Sequence, residues 1–320
     1  MKHQTPRDVE VGRPPEASPK RLAADPGLGD ATARCPFIGL DTLWIQVTGL
    51  RCNLACVHCF NSSGPTNTDL SFLDRTRVGH LLDEAETLGA RDVAFTGGEP
   101  FLHPDMPEMA GDALERFPTT ILTNGTLLTR GIVARLGEAA ARSRYSLEIR
   151  VSVDSATAAA NDDLRGDGVF RRALAGIARL HGAGFLPILT AVRTWPPDED
   201  LLELEAFEAL LRRAGVGQPR VKLLPPLSLG REAGRTGGYG AGLVVSQEML
   251  DLVGPEQFLC SASRLVTSRG VWACPILVAE PSGRMADTLA DALVPLTLDH
   301  GACTTCLHHG AICSNVTVRE

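Results

Sequence analysis

Apolar and polar positions along this chain follow two distinct periods, and the order in which those periods succeed one another predicts its architecture. Short apolar runs at Leu43 to Val47, Val93 to Thr96, Thr120 to Thr123, Leu147 to Val153, Ile188 to Val192 and Arg220 to Leu224 have the length of strands. Helical periods lie between them. Val78, Leu81, Leu82, Ala85 and Leu88 share one helical face and stop at Gly89, a C-cap residue. Further helices run through Met106, Met109, Ala113 and Leu114, around Ile132, Val133 and Leu136, from Val169 to Leu180, and through Leu201, Phe207 and Leu211. Strands alternating with helices predict an α/β fold with a parallel sheet and right-handed crossovers. The strand at 147–153 alternates sharply, with Glu148, Arg150 and Ser152 between Leu147, Ile149, Val151 and Val153. In a sheet covered by helices outside, that polar row predicts an inner face lining a lumen.

Composition adds boundaries. At 320 residues with 44% hydrophobic positions, the chain suits one α/β unit with an appendage. Residues 1–34 carry Pro6, Pro14, Pro15, Pro19 and Pro26 without an apolar period and are expected to form a disordered leader. The α/β unit is expected over 35–228, and a C-terminal region over 229–320 after a Gly-rich connection. A net charge of −7 with no Lys/Arg block argues against a nucleic-acid partner. With no signal peptide and no run long enough to span a bilayer, a cytoplasmic protein without membrane partners is expected. In such a reducing compartment, nine cysteines read as metal ligands rather than disulfides.

The candidate chemistry starts at Cys52-x3-Cys56-x2-Cys59. Three close thiolates can hold a four-iron cluster while leaving one iron without a protein ligand, whereas an electron-transfer cluster normally takes four. An open position is how a catalytic metal receives its substrate. After the next strand comes Gly97-Gly98-Glu99-Pro100. Cys52, the 97–100 turn, Asn124 and Asp154 follow the first four strands in turn, where active sites of α/β barrels lie.

Together the two motifs resemble the radical SAM enzymes. The resemblance implies a partial (β/α)6 TIM-like barrel in which Cys52, Cys56 and Cys59 bind a [4Fe-4S] cluster. The open iron would chelate the amino and carboxylate groups of S-adenosylmethionine, with Glu99 accepting a hydrogen bond from the amino group and Gly97, Gly98 and Pro100 completing the cofactor turn. It also implies cofactor contacts for Asn124, Ser152 and Arg165, the last two towards ribose or methionyl carboxylate. The implied reaction is reductive cleavage to methionine and a 5'-deoxyadenosyl radical that abstracts hydrogen, driven by a low-potential reductant such as flavodoxin or ferredoxin. His58 is expected to pack beside the cluster. The competing reading of the triplet is a structural zinc knuckle completed by Cys35.

Five further cysteines form Cys260-x9-Gly270-x3-Cys274 and Cys303-x2-Cys306-x6-Cys313. This resembles the auxiliary-cluster extension called SPASM in its long form and twitch in its short form, although the long form has seven cysteines and two spacings here are one residue off. The resemblance implies one auxiliary [4Fe-4S] cluster on Cys260, Cys274 and Cys306, with Cys303 or Cys313 as the fourth ligand. A zinc ribbon is the alternative. The expected function is a radical SAM oxidoreductase whose auxiliary cluster accepts an electron from a small metabolite or a cofactor or natural-product precursor. The short 1–34 stretch, too brief for an added peptide-binding domain, favours that substrate class over a ribosomal peptide or protein side chain. A non-catalytic Fe-S or zinc scaffold is the third reading. The catalytic base is unassigned, with Asp105, Glu148 and Asp154 as candidates near strand ends.

Overall fold

The computed structural model describes residues 32–310 and residue 312. In chain order its strands are β1 (Arg34–Cys35), β2 (Thr42–Gln46), β3 (Asp92–Thr96), β4 (Thr119–Thr123), β5 (Leu147–Ser152), β6 (Ile188–Val192), β7 (Val221–Leu224), β8 (Ser263–Thr267), β9 (Gly270–Trp272), β10 (Arg284–Ala286) and β11 (Leu296–Thr297). The helices are α1 (Arg75–Thr87), α2 (Met106–Leu114), α3 (Arg130–Arg142), α4 (Ala158–Arg165), α5 (Val169–Gly182), α6 (Asp200–Arg213), α7 (Gly230–Thr236), α8 (Gln247–Val253) and α9 (Cys303–His309). The six expected strands are β2 to β7, which lie side by side in sequence order and pair in parallel. The sheet does not close, because β7 and β10 occupy opposite edges. This is the parallel sheet that the pattern called for, in the partial-barrel form that the resemblance implied.

Alternation along the strands sorts residues between two faces. Leu43, Ile45, Phe95, Ile121, Ile149, Val151 and Leu189 pack with helix residues such as Leu81, Leu82, Met109, Leu136, Ile177 and Phe207 in one core. Each large side chain fully buried there contributes about 1.5–3 kcal/mol. The intervening positions Trp44, Ala94 and Leu265 form a separate inner cluster. On β5 the expected split holds, since Arg150 and Ser152 line the inner cavity while Ile149 and Val151 face the helices. Helix ends follow local chemistry: the Asp74 carboxylate accepts from Arg77 N at 2.7 Å to cap α1, and Gly89 leaves that helix at φ +78°.

Beyond β7 the chain returns to the sheet. β8 pairs in parallel with β2, and β9 and β10 extend that edge in antiparallel fashion. β1 pairs with β11. Backbone hydrogen bonding therefore crosses the boundary drawn at 228/229, because the outer edge of β2 would otherwise present unpaired N–H and C=O groups. Most of the stretch read as a leader lies outside the described residues, but its last part is paired, with Thr32 bridging Ser246 and Arg34 opposite Thr297.

One carboxylate in the fold carries a testable cost. Asp92 Oδ2 accepts from Thr42 Oγ1 at 3.1 Å, while Oδ1 is buried without a hydrogen-bond partner. Burial pushes the Asp92 carboxyl up to about 6, with the Thr42 bond opposing. The folded value lies above the unfolded one, so the contribution of the protonated form is complete below about pH 4 and lost as pH rises through about 6. Asp92→Asn should therefore raise stability by about 1–3 kcal/mol at pH ~8 and by much less at pH ~4. Urea midpoints at the two pH values test this, and an equal gain at both would contradict it.

Candidate active site

β2 delivers the chain into the cysteine loop, which two backbone bonds close: Cys52 N donates to Gly64 O and Gly64 N to Leu50 O, each at 3.1 Å. The glycine turn after β3 lies directly against this loop, with Gly98 N donating to Gly49 O at 2.8 Å and Glu99 N to Arg51 O at 3.0 Å. A Cβ on Gly98 would stand 2.2 Å from Arg51 O, and one on Gly97 would stand 2.2 Å from Thr48 Oγ1. The glycine pair is thus required for close backbone approach, beyond any turn it makes.

Above the loop lies a cavity of about 230 Å³ whose lining includes Cys52, Cys56 and Cys59 together with Thr96, Gly97, Gly98, Asn124, Ser152, Arg165 and Thr190. Most of the residues singled out in the sequence are therefore brought together. Glu99 and Pro100 are placed differently. Glu99 is wholly buried behind the lining, and its carboxylate accepts from Thr123 Oγ1 at 2.7 Å, Asn124 N at 2.7 Å and Phe101 N at 3.1 Å. Burial pushes it up to about 7 against those three donors. In this state it braces the β3 and β4 turns against each other, while Pro100 is buried at the start of a short helical turn. The Asn124 amide reaches back to the cysteine loop, donating to Asn53 Oδ1 at 2.9 Å and towards Cys52 Sγ at 3.7 Å.

Electrostatics centre on Asp154, just past β5. Its Oδ2 is 2.5 Å from Arg165 Nε and 2.8 Å from His58 Nε2, and its Oδ1 accepts from Val192 N at 2.8 Å. Burial alone would raise this carboxyl, but the charge of Arg165 and the His58 hydrogen bond hold it well below the usual carboxylate range. Arg165 is fixed beside the cysteines with its charge at the cavity wall, and His58 lines the same cavity, tied to the Asp154 carboxylate. Of the three candidate bases none lines the cavity. Glu148 pairs with Arg150 at 2.8 Å and Arg220 at 3.0 Å, Asp105 sits at the N-terminus of α2, and Asp154 reaches the site only through its partners.

Three thiols from one loop line the cavity, the ligand type and number that a [4Fe-4S] cluster with one open iron would take. Burial pushes the Cys52 thiol up to about 12 and also raises Cys56, where the Arg165 charge opposes it. Such thiols ionise when a metal takes the place of the proton. Among the described residues, none of the cysteines forms a disulfide.

A second thiol group lies in the C-terminal region, where Cys260, Cys274, Cys303 and Cys306 line one small buried cavity. Cys35, offered above as a zinc ligand for the first triplet, belongs instead to the apolar cluster that contains Cys260, and its Sγ donates to Pro36 O at 3.7 Å. Cys313 lies outside the described residues. Arg264, fully buried, fixes the approach to Cys260: its guanidinium donates to the carbonyls of Cys260 and Ser263 at 2.6 Å and of Ala292 and Val294 at 2.7 Å. No sequence signal marks Arg264, because its partners are backbone carbonyls and two of them, Ala292 and Val294, are brought in by the fold. Asp154 was legible as a strand-end residue, but its role as the hub for Arg165 and His58 was not.

Fold and loop define the class: an α/β protein of partial-barrel type with a thiol-lined cavity at the C-terminal ends of its strands. The family model for the radical SAM superfamily matches residues 47–211, more than half of the chain, and the protein belongs to that superfamily. It is accordingly a radical SAM enzyme, and the family's cofactors are a [4Fe-4S] cluster and S-adenosylmethionine. The chain is 33% identical over 175 residues to the mycofactocin maturase MftC of Mycobacterium tuberculosis, covering 54% of this chain and 42% of that protein. It is 35% identical over 184 residues to the AdoMet-dependent heme synthase of Methanosarcina barkeri, covering 57% and 50%. The matched region thus spans about half the length of these curated relatives. Among solved structures, Streptococcus suis SuiB bound to S-adenosylmethionine aligns with a TM-score of 0.58 at 17% identity, over 79% of this chain and 64% of that one. Native anSMEcpe with bound AdoMet aligns at 0.56 and 16%, over 78% and 79%. These likenesses establish the fold. Among the described residues no helix is long and apolar enough to cross a membrane.

Proposed function

We propose that Cys52, Cys56 and Cys59 hold the [4Fe-4S] cluster, and that the cavity wall around Gly97, Gly98, Asn124, Ser152 and Arg165 receives S-adenosylmethionine. When bound, these cofactors supply a 5'-deoxyadenosyl radical that removes a hydrogen atom from the substrate. Arg165, held by Asp154, offers a fixed positive charge for the methionyl carboxylate, and Ser152 a hydroxyl for the ribose. Glu99 serves by fixing the glycine turn and the Asn124 turn in contact, a role its three chain donors support. The Cβ-free surface of Gly97 and Gly98 keeps that turn against the cysteine loop.

In this reading Cys260, Cys274, Cys303 and Cys306 hold an auxiliary [4Fe-4S] cluster that accepts the electron left on the substrate, making the net reaction an oxidation. The observation that carries it is the course of the cavity above the cysteine loop. It starts at the first three cysteines and extends to Leu227, Ile312 and Pro275, the residue that adjoins Cys274. A substrate seated there would lie between the two thiol groups. A small metabolite or a cofactor or natural-product precursor is the substrate class we favour, with flavodoxin or ferredoxin as reductant. A peptide is the second reading, favoured by the maturase among the relatives and by the fold shared with SuiB, which has been solved bound to precursor peptide SuiA.

Iron and acid-labile sulfide in the anaerobically reconstituted Cys52→Ala/Cys56→Ala/Cys59→Ala variant test the second site. About four of each per chain should remain, since a fully ligated [4Fe-4S] cluster needs only the other four cysteines. If none remained, the tail would be a zinc or structural element and the enzyme would have a single cluster. Product formation with a dialysable extract fraction, compared with a peptide fraction, separates the two substrate classes.

A further inference from the structure

The cysteine loop is held from one side by the barrel, through the contacts of Gly98 and Asn124, and from the other by the first residues of α7. Arg231 makes three bonds to that loop. Its backbone N–H donates to Cys59 O at 3.0 Å, its Nε to Cys56 O at 2.7 Å, and a terminal guanidinium nitrogen to Ser63 O at 2.6 Å. Gly230 makes this approach possible. It has φ +52°, and a Cβ there would stand 2.4 Å from Phe60 O and 2.9 Å from Cys59 O. A planar guanidinium with several donors in fixed directions suits two carbonyls at once, which a single ammonium cannot match.

We infer that Arg231, seated by Gly230, is a positioning residue for the cluster loop, pinning the carbonyls of Cys56, Cys59 and Ser63 so that the thiols of that loop keep their places around the cavity. The loop between Cys56 and Ser63 contains no helix or strand, and beside its own turn bonds, Cys59 N to Cys56 O and Ser62 N to Cys59 O at 3.3 Å, it is held by external bonds such as these. Residues supporting metal ligands from behind typically change metal affinity 10–100-fold when removed. This inference rests on the reading that Cys52, Cys56 and Cys59 carry the cluster that binds S-adenosylmethionine. It adds that a segment beyond the barrel, on the way to the second thiol group, is needed to keep that cluster in place.

The test is electron paramagnetic resonance of the reduced, reconstituted full-length protein, with and without S-adenosylmethionine, counting spins per folded chain whose signal shifts on adding it. Arg231→Ala should lower that count by at least about tenfold, the low end for a supporting residue, while circular dichroism stays that of the wild type. Arg231→Lys, which keeps the charge but offers a point donor, should recover only part of the signal. Should Arg231→Ala fail to fold, Arg231→Gln, with one amide donor, is to be compared with wild type in the same way. Wild-type spin counts in the Ala or Gln variant would overturn the inference, and full recovery by Lys would overturn positioning in favour of charge alone. A wild-type protein with no signal responsive to S-adenosylmethionine would overturn both this inference and the assignment of the three cysteines.

Discussion

Cys56→Ala yields no 5'-deoxyadenosine above background when the reduced, reconstituted protein is incubated with S-adenosylmethionine. The expectation follows from the count of ligands. Only three thiols from this loop reach the cavity, and Cys56 is the one closest to the Arg165 end, its Sγ 3.9 Å from Arg165 O. With two thiols left, the cluster loses a third of its protein ligands. Since even supporting residues around a metal cost 10–100-fold when removed, the loss here should exceed about 100-fold. The control is built into the molecule: if Cys260, Cys274, Cys303 and Cys306 hold their own cluster, the variant keeps iron while losing activity. Product formation at the wild-type rate would refute the ligand assignment and favour a scaffold whose metal does not act on S-adenosylmethionine.

The second large effect concerns stability. Asp154→Ala leaves Arg165 and His58 buried without the carboxylate that joins them, and removing one member of a buried pair typically costs 3–5 kcal/mol. Denaturant titration of the apoprotein should show a loss of about that size. Asp154→Ala combined with Arg165→Met should lose clearly less than the two single losses added, because the residues share one interaction. Additive losses would mean that the pair does not act as a unit. The acid limb carries the same information. The Asp154 carboxyl is held below its unfolded value, so its contribution is complete above about pH 4 and is lost as pH falls towards the lower folded value. Asp154→Asn should therefore flatten the fall in stability below about pH 4, and an unchanged acid limb would argue against the pairing.

The barrel was legible in the chain because its strands are covered on both faces. β2, with the sequence Thr-Leu-Trp-Ile-Gln, is buried at every position, and β6 nearly so, which is why continuous apolar runs marked them. β5 was legible in more detail, since Arg150 and Ser152 sit on the cavity side that their alternation required. α4 gave no such signal: Ala-Ala-Ala-Asn-Asp-Asp-Leu-Arg has no apolar stripe, and its buried positions are Asn161 and Arg165, polar residues engaged with the Asp154 hub. β8 was missed for a related reason. Its Arg264 is wholly buried, and besides the nearby carbonyls of Cys260 and Ser263 it is satisfied by those of Ala292 and Val294 about 30 residues on, which no local pattern reports.

Sequence alone determined the order of the six barrel strands and of the helices between them except α4, the three cysteines at the end of the first barrel strand, and the glycine pair at the end of the second. Those are properties of neighbours in the chain, set by period, turn chemistry and spacing. Tertiary structure alone decided what each group meets. It turned Glu99 inward to three chain donors, drew Cys35 into the apolar cluster of Cys260 and away from the first triplet, and set Arg231 on the carbonyl of Cys56, 175 positions away. The physical reason is common to all three: a buried polar or thiol group is placed by whichever neighbours the fold brings within reach, and sequence distance has no bearing on that reach.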